Sequence, residues 1–192
     1  MTLTLIARNP YTRQIGVAIT SGSDDCVGGS LYMQEGVGVV SVQAKGNRET
    51  GARSLAQMAA GVPTADILQQ LKDTDKQLGL RQVLLVPFDG DVWAMTGEQC
   101  LRWAGHIGKD HYVVAGNMLS SEKTLTEMER AYLADMQAPL RKRLMTAMQA
   151  GMAAGGDLRG HRSAGIIVLG PPSFSHVVTA SAQVLDDMRA GV

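Results

Sequence analysis

Helical periodicity occurs in two blocks of this sequence, each long enough for a pair of helices, and strand-like sequence lies before, between and after them. Single strands alternating with single helices would predict a doubly wound parallel sheet. Strands that arrive together, then helices that arrive together, predict two packed sheets with helices on their outer faces.

Residues 2–8 and 15–21 are β-rich and flank a turn opened by Asn9-Pro10, which reads as a hairpin. A Gly-rich loop is expected over residues 21–30. Residues 36–44 read as a third strand, apolar on both parities and so covered on both faces. Ala52, Leu55, Ala56 and Ala59 recur at helical spacing, and Gly61 and Pro63 end that helix. Thr64 fits an N-cap for a second helix with Ile67, Leu68 and Leu71 inward. Residues 83–88 and 92–96 form a hairpin around Asp89-Gly90, and 112–115 a short strand. The second helical block covers 120–153. Ser120 or Ser121 is its expected cap, Leu125, Met128, Tyr132 and Met136 its first stripe. Pro139 sits near the start of the next helix, lined by Leu140, Leu144 and Met148. After a Gly-rich stretch, 151–160, strands are expected at 164–169 and 175–180, then a short helix at 182–190.

A length of 192 residues makes residues 1–192 one domain. Lys plus Arg and Asp plus Glu both number 18, which argues against a nucleic-acid or membrane-surface partner. Two distant cysteines, Cys26 and Cys100, make no disulfide framework and suggest a reducing compartment. With no signal-peptide pattern at the start and no apolar run of about 20 residues, a cytoplasmic protein is expected. No cofactor is expected. The Gly-rich 151–160 segment lacks the lysine of a phosphate loop. Cys100, His106 and His111 are spaced more widely than usual zinc ligand pairs, and His161 and His176 are distant, so no metal site is expected. Cys26 has no nucleophile signature around it.

Thr2 stands out by position. Methionine is generally trimmed before a small residue, and a Thr exposed in that way carries a hydroxyl nucleophile and an amine base in one residue. The amine titrates at about 7.7–8.0, so a useful neutral fraction exists near pH 7. By itself this is an ordinary strand residue in very many proteins.

Five blocks together change its weight: residues 2–10 with Ile15-Gly16-Val17-Ala18; Gly38 to Ala44 with Asn47 and Gly51; Thr96 to His106; Gly116-Asn117-Met118-Leu119; and Ala154 to Gly160 ending at Ser163-Ala164. In this order and spacing they resemble the domain of unknown function 1028 family of the N-terminal-nucleophile (Ntn) hydrolase superfamily. The resemblance implies an α+β, four-layer αββα sandwich: two stacked, mainly antiparallel sheets with helices on both outer faces. It also implies a hydrolase of small amide substrates whose nucleophile is Thr2, exposed by loss of Met1. The chain departs from the family pattern at His161-Arg162, usually Arg-Gln, and at His176 to Ala180, where the family tends to be acidic.

Such a site needs donors for an oxyanion. Asn47 is a candidate, or else a turn residue capping the helix after it. Asn117 is a second donor, or a link between strand and helix. Lys45 is read as lowering the Thr2 amine pKa, or as a solvated strand-end lysine. Asp157 and Arg159 orient the site, or pair to hold their loop. Ser163 and Ser21 contact the Thr2 amine, or satisfy strand-end backbone. The expected catalytic set is thus Thr2, Asn47, Asp157 and Ser163, and the expected substrate-binding set Lys45, Asn117, Arg159 and Ser21. The competing reading is a non-catalytic ligand-binding or scaffold protein that retains the fold. A homodimer or larger homo-oligomer is expected.

Overall fold

A computed structural model describes residues 2–192. The strands β1 (Thr2–Asn9) and β2 (Gln14–Ser21) form the expected hairpin. A one-turn helix α1 (Val27–Ser30) follows, then β3 (Leu31–Gln34) and β4 (Gly38–Ala44). Helices α2 (Arg48–Ala59) and α3 (Thr64–Thr74) come next, then β5 (Arg81–Pro87) and β6 (Trp93–Thr96). The strands β7 (Trp103–Lys109) and β8 (Tyr112–Leu119) lead into α4 (Lys123–Leu133) and α5 (Leu140–Ala153). The chain ends with β9 (Ser163–Leu169), β10 (Phe174–Val178) and α6 (Val184–Gly191).

The strands make two sheets, of order β10-β9-β2-β1-β8-β7 and β3-β4-β5-β6. All their strand pairs are antiparallel. Alternation along β1 divides the core. Leu3, Leu5 and Ala7 join residues of α4 and α5 in one apolar cluster. Ile6 joins Val17 and Ile19 of the larger sheet and Val39, Leu84 and Val86 of the smaller one in a second. A third gathers Val40, Val42 and Leu85 with Ile67, Leu68 and Leu71 of α3. Thr2 and Thr4 share the parity of Ile6, so both lie on the face of β1 that looks toward the smaller sheet.

The inward stripes of α3 and α5 are those read from the sequence, and α4 buries Leu125, Met128 and Tyr132. Met136 lies beyond the end of α4 and is exposed. The inward face of α2 is a correction. Ala52, Ala56 and Ala59 are exposed, whereas Thr50, Gly51, Ser54 and Met58 are buried. The cause is Tyr32, whose ring lies so close to Gly51 that an added Cβ would come within 2.0 Å of it. Nor do the expected caps at Thr64 and at Ser120 or Ser121 form. Thr64 is the first residue of α3 and its hydroxyl donates to the Asp91 carbonyl, while α4 starts after Glu122 with no side-chain cap.

Gly51→Ala therefore tests the corrected face. Helix propensity alone would stabilise the variant by about 1 kcal/mol. Displacement of the Tyr32 ring outweighs that, for a net loss of roughly 1–2 kcal/mol in urea unfolding. A gain in stability would mean that α2 buries its alanine face after all.

Candidate functional site

The ladders bring four of the expected residues onto one rung. Thr2 stands opposite Asn117 on β8, and Ser21 opposite Ser163 on β9. One step back from the Leu3–Thr20 pair brings Thr2 level with Ser21. This rung is the end of the larger sheet at which β1 begins. Thr2, Ser21, Ser163 and Asn117 are all buried, Thr2 to 4% exposure.

Under the rung the space between the sheets is polar. Gln82 on β5 is its centre. Its Nε2 donates to the carbonyls of Gly105 (2.9 Å) and Gly116 (3.0 Å), on two strands of the other sheet. Carbonyls can only accept, so this fixes the amide's orientation and leaves Oε1 as acceptor. That oxygen receives Asn117 Nδ2 at 3.1 Å and Gln43 Nε2 at 2.7 Å. Gln43 Oε1 in turn accepts from the Thr4 hydroxyl at 2.9 Å. The Gln82 amide also meets Thr96 Oγ1, which contacts His106 Nδ1. Thr4, Gln43, Gln82 and Thr96 carried no signal in the sequence, because a polar residue in an apolar strand does not announce what faces it across a second sheet.

Asn117 also lines a cavity of about 380 Å³ at this end of the sheets. Lys45, Ala44 and Leu80 form one part of its wall, and Gln99, Cys100, Leu101 and Met118 the rest. Ala44 (φ 66°) and Met118 (φ 52°) hold left-handed backbone, and so does Arg102 (φ 59°) next to Leu101. Three side-chain-bearing residues in this region around one cavity store strain of order 1 kcal/mol or more each, a pattern associated with functional sites. The Lys45 turn is pinned from below. Arg81 is 3% exposed, donates to the Lys45 carbonyl at 2.6 Å, and pairs with Asp75 at 2.7 Å. The Arg81 guanidinium holds the Asp75 carboxyl below its ordinary pKa.

Asp157 joins this end of the sheet through a loop. It bridges to Leu119, its carboxylate accepts from Gly22 N (2.7 Å) and Arg159 N (2.8 Å), and the Arg159 guanidinium lies 3.5 Å away. Asp157 and Arg159 thus hold the loop beside Ser21. Ser163 donates to the Ser23 carbonyl and accepts from Cys26 N, holding the 21–26 segment. Asn47 is not brought to the rung. Its side chain accepts from Thr50 N as the N-cap of α2, and it lines a separate pocket with Arg53 and Arg81. The Cys26 thiol is buried, and burial pushes its pKa up to about 11. Among the described residues no group of His, Cys, Asp or Glu is arranged to hold a metal ion. No helix there is long and apolar enough to cross a membrane. Met1 and its expected removal lie outside the described residues.

His161 has a defined place. Its Nε2 faces the Asp157 backbone N–H at 3.3 Å, and its Nδ1 meets Thr20 Oγ1 at 3.0 Å. An N–H can only donate, so Nε2 is bare and the ring neutral. Burial lowers its pKa, opposed in part by Asp157. The unfolded chain then takes up the proton first. Stability is complete above about pH 6.5 and declines as pH falls below it. Between about pH 7 and about pH 5 the wild type should lose more Tm than His161→Gln. Equal losses would remove His161 as the cause.

Among the described residues, two antiparallel sheets with six helices, a polar clamp between them and a small cavity at one end define an α+β protein with a candidate site at the sheet ends. Residues 2–190 match the family of unknown function DUF1028, and the chain belongs to that family. It is similar to the crystal structure of protein SPO2555 from Silicibacter pomeroyi, also described as DUF1028. The TM-score is 0.85 at 25% identity, covering 94% of this chain and 82% of that one. No curated protein matches the chain.

Proposed function

We propose that this protein is a hydrolase of small amide compounds with the Ntn-type four-layer αββα architecture, and that Thr2, freed by removal of Met1, is its nucleophile. The observation that carries the reading is the place of Thr2. It begins an interior strand, opposite Asn117, and Asn117 is shared between the inter-sheet clamp and the cavity. The α2–α3 and α4–α5 pairs, each in a core cluster with a different sheet, support the layer order.

In the proposed reaction the Thr2 hydroxyl attacks the substrate carbonyl and its own amine takes the proton. The carbon–nitrogen bond breaks, the amine leaves with that proton, and an ester to Thr2 remains for water to hydrolyse. Asn117 is the nearest candidate to steady the oxyanion. Its Nδ2 carries two hydrogens, and Gln82 takes one. Ser163 and Asp157 shape the loop beside the nucleophile, and Lys45 supplies positive charge at the cavity wall.

Intact mass of natively expressed protein tests this first. Loss of Met1, together with a single β-lactone adduct mapped to Thr2, is the expected result. A fully retained Met1 ends the Thr2 mechanism. The 4% exposure of Thr2, and its absence from the residues lining the cavity, favour a second reading, a ligand-binding protein without catalysis. Ligand binding with no adduct and no turnover would establish that reading instead.

A further inference from the structure

The cavity at Lys45 and Asn117 has a chemical character that selects a ligand. At about 380 Å³ it suits a small molecule, near the lower end of the roughly 300–1,000 Å³ usual for ligand pockets. Among the described residues Lys45 is the one cation in its wall, and no carboxylate residue lines it. Among the described residues the Lys45 ammonium has no hydrogen bond or ion pair, so its charge is available to a ligand. Its backbone, by contrast, is held at both ends: its N–H donates to the Leu80 carbonyl at 3.1 Å, and Arg81 holds its carbonyl.

One point charge matches a monoanion. A phosphate favours the bidentate fork of an Arg, and no Arg is among the described residues that line this wall. The rest of the wall divides into apolar and amide parts. Leu80, Leu101 and Met118 suit an aliphatic group, and Asn117 offers an amide to a carbonyl. A carboxylate, an aliphatic side chain and an amide carbonyl, close enough to share this cavity, are the three parts of an N-acylated amino acid.

We propose that this cavity binds N-acylated α-amino acids with aliphatic side chains, with the free carboxylate at Lys45 and the acyl carbonyl at Asn117. The choice of an amide as the third group rests on the hydrolase reading above; the carboxylate and aliphatic parts rest on the cavity itself.

The test reads binding rather than turnover, so it stands apart from the fate of Thr2. N-acetyl-L-leucine and its neutral counterpart N-acetyl-L-leucinamide are titrated into wild type, Lys45→Met, Lys45→Arg and Thr2→Ala. Affinity is read by calorimetry, and the site is mapped by the methyl NMR shifts of Leu80, Leu101 and Met118. In wild type and Thr2→Ala the carboxylate should bind at least about tenfold tighter than the amide, and that preference equals about 1.4 kcal/mol. Lys45→Met should erase the preference and Lys45→Arg restore it, with the shifts confined to the three named methyls. Equal affinity for the two probes in wild type overturns the proposal. So does a preference that survives Lys45→Met, a set of shifts elsewhere, or no binding of the carboxylate at millimolar concentration. A positive result in a protein that shows no hydrolysis keeps this proposal and removes only the Thr2 mechanism.

Discussion

Replacing Thr2 by alanine is expected to abolish any hydrolysis found in a screen of amide compounds, with a fall in kcat of about 10³-fold or more. The amine base would remain, but the atom that forms the ester would be gone. Thr2→Ser keeps a hydroxyl and should retain measurable activity. Stability should fall by less than about 1 kcal/mol in Thr2→Ala, because the substitution removes one hydroxyl and one methyl at the end of a strand whose ladder bonds run through the backbone. Urea unfolding of the same preparation checks that the loss of rate is not a loss of fold. Turnover equal to wild type would take Thr2 out of the mechanism. An active variant that has lost only Asn117 would likewise show that the oxyanion is steadied elsewhere.

The largest expected effect on stability lies at Gln82. Gln82→Leu keeps the volume and removes every polar atom at the centre of the clamp. Asn117 Nδ2 and Gln43 Nε2 lose their acceptor, and the carbonyls of Gly105 and Gly116 lose a donor. Leaving one buried polar group unpaired costs about 1–3 kcal/mol, and some of these groups keep a second partner, so a net loss of about 3 kcal/mol is expected. The variant Gln57→Leu is the control. Its amide makes a still shorter hydrogen bond, 2.6 Å to Gln70, but in solvent, and its removal should change stability by less than about 0.5 kcal/mol. If the two variants lose the same amount, burial is not what gives the Gln82 amide its weight.

Much of the fold was legible because apolar spacing is a strong signal where a helix packs against a flat sheet. The residues Ile67, Leu68 and Leu71, and likewise Leu140, Leu144 and Met148, are such cases. It failed on α2, whose inward face is chosen by contact rather than by hydropathy. Gly51 is inward because the Tyr32 ring leaves no room there for a side chain. The strand carrying Tyr32 was itself missed, being four residues long and set just before a glycine turn. β7 was missed because it is an edge strand with a half-exposed Gly105 and exposed His106 and Gly108 in place of an apolar alternation. At the site, position drew attention to Thr2, a family-like block to Asn117 and charge to Lys45. Asn47 followed the bland reading and caps a helix. Gln43 and Gln82 were invisible because their partners come from strands far away in the sequence, and only the stacking of one sheet on the other makes them neighbours.

The left-handed backbone at Ala44 and Met118 also bears on how such a protein changes over time. Glycine relieves the strain at either position, but only alanine is a single base change from it, so random mutation under selection for thermal tolerance has an easy step at Ala44. The same step would remove a side chain from the cavity wall and loosen the turn that presents Lys45. Lineages selected only for heat resistance would therefore tend to drift away from ligand discrimination, whereas those that keep the alanine retain a tighter, less stable wall.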